Sequence, residues 1–202
     1  MSRAEYQQVL DFWFDDCHSD PAKCDEMAKL WYGGGPELDE RVIEKFGKVY
    51  DRACSDSLAS WGKTAEGALA LVIVLDQFSR QIHRSTPLAF AQDPMARAIA
   101  IRTVEHGLDE ELSIPGRLFL YHPFQHSEFL DDQEYGVSVT ERLLSECPAM
   151  WQDYVKESLK YFEEHRDIIQ EFGRFPHRNE ILGRESTHKE LEFMQSASSY
   201  GQ

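Results

Sequence analysis

Three stretches of this chain carry residue types that move protons or hold anions. The first runs from Asp76 to Arg84 and includes Gln77, Arg80 and His83. The second is His122-Pro-Phe-Gln-His126-Ser-Glu128. The third runs from His165 to Thr187 and packs two histidines and four arginines into one helix end and its turn, in a chain whose formal net charge is −15. Imidazole titrates near neutral pH, so it can take and return a proton. Guanidinium is a planar fork of donors that matches a carboxylate or phosphate. If the three stretches converge, they form a polar pocket for a small anionic ligand, with acid–base chemistry within reach. In that arrangement His165 and His126 carry protons, Glu128 and Asp76 orient them, and Arg80, Arg174, His177, Arg178, Gln77 and Arg166 hold the ligand. Phe78, Phe124, Phe129 and Phe175 are the expected lining.

Each stretch also has a purely structural account. Asp76, Arg80 and Arg84 are spaced four apart and can form an ion-pair network along one helix face. Ser127 can cap a helix with Glu128 in its first turn. His165 falls on an apolar stripe, where a histidine can serve as a satisfied core residue. The arginines of the third stretch have Asp167, Glu171, Glu180 and Glu185 close by in sequence. Two rival functions stay open: a helical module whose groove takes a peptide or protein partner, and a metal-dependent enzyme using His126, Glu128 and His165, for which His-x-Glu is a weak signal.

No cofactor motif is expected. Gly62-Lys63-Thr64 has Ser57 where a phosphate-binding loop needs glycine, and helix rather than strand before it. His165-Arg166-Asp167 has Phe172 where a kinase catalytic loop needs asparagine. The acidity, with a pI of about 4.9, speaks against nucleic-acid and anionic-membrane partners. The longest apolar run, Ala68 to Leu75, is far short of the roughly 20 residues a membrane span needs. There is no basic-then-apolar leader, and Cys17, Cys24, Cys54 and Cys147 are scattered, so a cytoplasmic protein with reduced thiols is expected.

The elements that must position these residues all read as helix. Ser2 caps a first helix through Asp15. Asp20-Pro21 and Asp93-Pro94 each read as an N-cap followed by proline. Gly33-Gly-Gly-Pro36 is a break, and Leu38, Val42, Ile43, Phe46, Val49, Tyr50 and Ala53 recur at helical spacing after it. Thr64 caps a helix that is apolar nearly all round, which predicts a central position. Gly107 ends a helix, Ile114-Pro-Gly116 is a turn, and Ser127 opens a helix to Leu144. Trp151, Val155, Ser158, Phe162, His165, Ile169 and Phe172 form one stripe of a long helix stopped by Gly173. Thr187 and Glu190 form a capping box for a last helix through Met194. The prediction is a single all-α domain over 1–202, a multi-helix array of antiparallel helix pairs with no sheet.

Several blocks carry a family likeness: Val9-Leu-Asp-Phe-Trp-Phe14, Glu66 through Arg80, Phe90-Ala-Gln-Asp-Pro94, Pro123-Phe-Gln-His-Ser-Glu128, His165-Arg-Asp-Ile-Ile, Gly173-Arg-Phe-Pro-His-Arg-Asn179 and Gly183-Arg-Glu-Ser-Thr187. With these the chain resembles domain of unknown function 924. The resemblance implies an all-helical fold similar to tetratricopeptide-repeat proteins, although no fixed 34-residue repeat is evident, and it implies no particular activity. His83 and His122 depart from the pattern and are the weaker site candidates.

Overall fold

A helix that is apolar at every position from Ala68 to Leu75 needs neighbours on all sides. The computed structural model, which describes residues 4–196, supplies them. This helix, α4, runs as Ala65–Val72, a π-helical stretch Ile73–Phe78 and a further turn Ser79–Ile82. It packs against α1 (Glu5–Phe14), α3 (Pro36–Cys54), α5 (Asp93–Glu105) and α6 (Ile114–Gln125). Val72, Ile73, Val74 and Leu75 are fully buried. Between α1 and α3 lies α2 (Pro21–Gly33). In the C-terminal half, α7 (Leu130–Glu146) and α8 (Gln152–Phe172) stack on α6 as successive hairpins, and α9 (His188–Ser196) follows. No strand occurs among the described residues, so the all-α class is established. No helix among them is long and apolar enough to cross a membrane.

The long stripe holds: Trp151, Val155, Phe162, His165 and Ile169 are buried, and Gly173 stops α8 at φ 67°. Asp20 caps α2 by accepting from the Ala22 amide at 2.9 Å. Thr64 accepts from Gly67 at 3.2 Å. The Thr187–Glu190 box closes in both directions, at 3.2 and 2.7 Å. Close approach of α6, α7 and α8 depends on Gly136, where an added Cβ would meet Phe124 Cβ at 2.9 Å and the Phe162 ring at 3.2 Å.

Four local expectations are corrected. Ile114-Pro-Gly116 is the first turn of α6, because Ser113 caps it through the Gly116 amide at 3.3 Å. Asp93 does not cap α5; its carboxylate is drawn to Arg80 instead. Ser127 does not open α7, which starts at Leu130, and Glu128 lies ahead of it in the connection. Ile43 is 49% exposed, off the buried face of α3. The proposed Ser2 cap lies outside the described residues. Most buried apolar side chains form one core; Ile168, Ile169 and Phe175 form a second, small cluster with Phe172 and Phe193 under the segment that follows α8.

Candidate proton-transfer and anion-binding site

The three stretches converge. Asp76, fully buried in the π stretch of α4, lies 2.7 Å from His126 Nδ1 through Oδ1 and 3.0 Å through Oδ2. His126 sits at the C-cap of α6. Its carbonyl accepts from Arg178 Nη1 at 3.0 Å, and Arg178 belongs to the short 3-10 turn Pro176–Arg178 beyond α8. A π-helical insertion is a recurrent device at functional sites. Here it leaves the Asp76 carbonyl to accept from Arg80 Nη1 at 2.7 Å.

Asp76 is the hub. Besides His126 it accepts from Gln77 Nε2 at 2.6 Å and pairs with Arg80 at 3.1 Å. Burial alone would raise its pKa, but the charge of Arg80 and the hydrogen bond from His126 hold it well below the usual carboxylate range. It is therefore ionised, and fixes a proton on Nδ1 of His126. Burial pushes His126 below the ordinary histidine value, against the pull of Asp76. Its Nε2 makes no hydrogen bond within the described residues, and 17% of the side chain stays exposed. A neutral imidazole with its proton on Nδ1 offers Nε2 as a base, the arrangement that a carboxylate imposes on catalytic histidines generally.

Arg80 and Arg178 differ in how fully they are engaged. Arg80 has a bidentate partner in Asp93, at 2.9 and 3.0 Å, in addition to Asp76. Arg178, 5% exposed, has the His126 carbonyl and a longer 3.9 Å contact with Asp93. Its Nε is buried without a partner, as is that of Arg80, so the two differ in their carboxylate contacts rather than at Nε. The guanidinium lies between the rings of Phe90 and Phe175, at 4.6 and 4.5 Å. Burial and the neighbouring Arg80 charge lower its pKa to about 10. A cation held this way has unused donors and an incompletely balanced charge, which is what an anion would relieve.

The other expected site residues are placed as follows. Gln77 stands beside Asp76 and 3.4 Å from His122 Nδ1. His165 is 5% exposed; its Nδ1 lies 2.7 Å from the Tyr161 carbonyl and 3.2 Å from Gln125 Nε2, and burial lowers its pKa to about 3. Its ring also packs edge-on against Phe175, 5.5 Å between centroids. His177 packs on Phe175, with its pKa lowered to about 4 by burial and by Arg178. Glu128, expected to orient a histidine, instead accepts from the Phe175 amide at 2.8 Å and from both Arg184 terminal nitrogens at 2.6 and 2.9 Å. Arg174, expected to hold ligand, is taken by Glu190 at 2.6 and 2.9 Å. Arg166 pairs with Asp167 at the surface. Arg84 turns away to Asp39. Of the expected lining, Phe175 is in place, Phe78 packs instead against Phe12, Trp13 and Phe46, and Phe129 is 65% exposed under Arg97.

Sequence reasoning missed Asp93, Phe90 and Gln125, and underrated His122. Asp-Pro reads as a cap, which hid Asp93, although Phe90 and Asp93 both lie in a block that carried the family likeness. His122 stands 5.7 Å from His126 between ring centroids, and burial lowers its pKa to about 3. Among the described residues no group of three or more His, Cys, Asp or Glu could hold a metal ion, so His126, Glu128 and His165 do not form a ligand set. A cavity of about 330 Å³ lies elsewhere, bounded by residues of α1, the α1–α2 turn, α4 and the α5–α6 connection that include Asp11, His18, Glu66 and Ser113. The hydrogen-bond geometry, rather than that cavity, marks the candidate site.

An all-helical chain with a buried Asp–His pair beside an arginine defines the class. The chain belongs to the family described as "Bacterial protein of unknown function (DUF924)", whose model matches residues 9–198. It is similar to a solved structure, that of the protein of unknown function ATU0120 from Agrobacterium tumefaciens, at 32% identity and a TM-score of 0.79, covering 95% of this chain and 97% of that one. No curated protein matches it.

Proposed function

We propose that the chain binds a small anionic molecule at Arg178 and exchanges a proton with it through His126. The observation that carries this is that base and anion holder are fastened to one residue. Asp76 holds the His126 ring at 2.7 Å, and Arg178 holds the His126 carbonyl at 3.0 Å. A ligand carboxylate or phosphate on the open donors of Arg178 brings its neighbouring atoms to Nε2 of His126. Among the described residues no serine or cysteine is hydrogen-bonded to His126, so the ligand, or a water it brings, supplies the proton that is moved. His165 and His122, kept neutral by burial, shape the wall without adding charge. Glu128, Arg174 and Arg184 act at one remove, by fixing the segment that carries Arg178. The net charge of −15 favours a small anion over a nucleic acid. The four free thiols suit the cytoplasm.

The test is a thermal-shift screen of phosphates and carboxylates against wild type and Arg178→Gln. A ligand at a hundred times its dissociation constant stabilises by about 2.7 kcal/mol. The expected outcome is a hit that Arg178→Gln loses and His126→Gln binds without turnover. If no anion stabilises wild type more than Arg178→Gln, the reading is wrong.

A further inference from the structure

Two buried thiols take no part in this site. Cys17 lies in the turn between α1 and α2, Cys24 in the second turn of α2, and both are fully buried. Cys24 Sγ donates to the Cys17 carbonyl at 3.1 Å. That hydrogen bond sets the Cys24 sulfur against residue Cys17, each thiol shifts the ionisation of the other, and Tyr154 of α8 acts on Cys24 as well. We propose that Cys17 and Cys24 are a redox-modification site, closing to a reversible disulfide at the expense of a hydroperoxide. Free thiols this close need little backbone movement to join, whereas most cysteine pairs are too far apart or badly directed.

The surroundings assign the roles. Hydrogen bonds from Cys17 and Tyr154 favour the thiolate of Cys24, and the same contact together with burial disfavours that of Cys17. Cys24 is therefore the attacking sulfur and Cys17 the resolving one. In the first step Cys24 thiolate attacks the terminal peroxide oxygen. The O–O bond breaks, an alcohol leaves with a proton, and Cys24 becomes a sulfenic acid. In the second, Cys17 attacks the Cys24 sulfur, the S–S bond forms, the S–O bond breaks, and hydroxide leaves as water with the Cys17 proton. Two thiols are oxidised by two electrons and one hydroperoxide is reduced to alcohol and water.

Access comes from the turn itself. Asp15, Asp16, His18, Ser19 and Asp20 are all exposed, and Asp15 holds a left-handed φ of 46° that a non-glycine residue adopts at a cost. Such a segment opens locally more readily than the core beneath it. Closing the disulfide would staple α1 to α2 and take the Cys24 thiol from Tyr154, on the helix that also carries His165.

The experiment is to treat the folded full-length chain with hydrogen peroxide, alkylate under denaturing conditions and map the peptides. The expected result is loss of both thiols, a Cys17–Cys24 cross-linked peptide, and recovery of both thiols with dithiothreitol. Cys17→Ser should accumulate a dimedone-reactive sulfenic acid at Cys24; Cys24→Ser should leave Cys17 unoxidised; Cys54→Ser should leave the cross-link unchanged. Circular dichroism establishes that each variant is folded. The proposal is overturned if peroxide consumes Cys54 while Cys17 and Cys24 stay alkylatable, or if the cross-link forms only after urea is added. Because these two arms use the wild-type chain or Cys54, they decide the question even if a serine variant misfolds.

Discussion

Replacing Asp76 by asparagine keeps the shape of the hub and removes its charge. The carboxylate accepts from Gln77 at 2.6 Å and from His126 at 2.7 Å and faces Arg80 at 3.1 Å. Asparagine has one acceptor oxygen, so one of those contacts becomes donor against donor in a site from which water is excluded. Removing one partner of a buried ion pair costs about 3–5 kcal/mol. Arg80 retains its two bonds to Asp93, which places Asp76→Asn at the lower end, about 3 kcal/mol. For a chain of 202 residues that lowers Tm by about 6–12 °C. The sign with pH follows from the depressed pKa of Asp76. Its contribution is complete above the unfolded carboxylate value of about 4 and is lost as pH falls through the folded one. The gap between wild type and variant is therefore full at pH 7 and narrows below about pH 4. Calorimetric melts at both ends of that range measure it. NMR of His126 gives a second readout, because loss of the Asp76 charge removes the attraction that holds its pKa up. A Tm loss under about 2 °C at pH 7, worth roughly 1 kcal/mol or less, with an unmoved His126 titration, would refute the claim that Asp76 charge-balances this cluster.

Gly136→Ala gains roughly 1 kcal/mol of helix propensity and yet should destabilise by about 1–3 kcal/mol through overpacking against Phe124 and Phe162; an unchanged urea midpoint would show that α6, α7 and α8 can part without cost. For His165 the folded pKa of about 3 lies below the unfolded value of about 6.5. As pH falls from 6.5 the unfolded chain binds a proton that the folded chain refuses, so stability is lost by about 1.4 kcal/mol per pH unit. His165→Gln should remove one such increment from the slope of stability against pH between about 6.5 and 4.5, measured as urea midpoints; an identical slope in both proteins would mean that His165 is protonated in the fold.

Periodicity made the fold legible because burial on one face repeats at 3.6 residues, and the stripe from Trp151 to Phe172 is that pattern over a whole helix. Caps made of neighbours were legible too, as at Thr187 and Glu190, since both partners lie within one turn. What sequence did not show were partners far apart in the chain. Asp93 has the right type and neighbour for a cap, but Arg80, thirteen positions back, competes for its carboxylate. Glu128 suits a first helical turn, but Arg184, 56 positions on, claims it with two hydrogen bonds. A π-helical insertion at Asp76 was equally invisible, because an all-apolar run has no face whose shift could reveal it. The convergence of the three stretches was foreseeable from their shared residue types; the division of roles within them was not.

That division resolves an ambiguity in the arginine-rich turn, which could have been a self-neutralising surface or a binding site. Three of its four arginines are paired with carboxylates at hydrogen-bond distance, and Arg178 is not. Arg166 pairs with its neighbour Asp167, Arg174 with Glu190, and Arg184 with Glu128. The Arg174 pair ties the segment that follows α8 to α9, and the Arg184 pair ties it to the α6–α7 connection, whereas the Arg166 pair stays within α8. Arg178 is the one of the four with a buried guanidinium nitrogen left unpaired. Two paired arginines, Arg174 and Arg184, hold the segment that carries Arg178, and a fold keeps an incompletely paired buried cation at a cost in stability. A bound anion would offset that cost, so the unsatisfied Nε of Arg178, rather than the number of arginines, is what supports the proposed ligand.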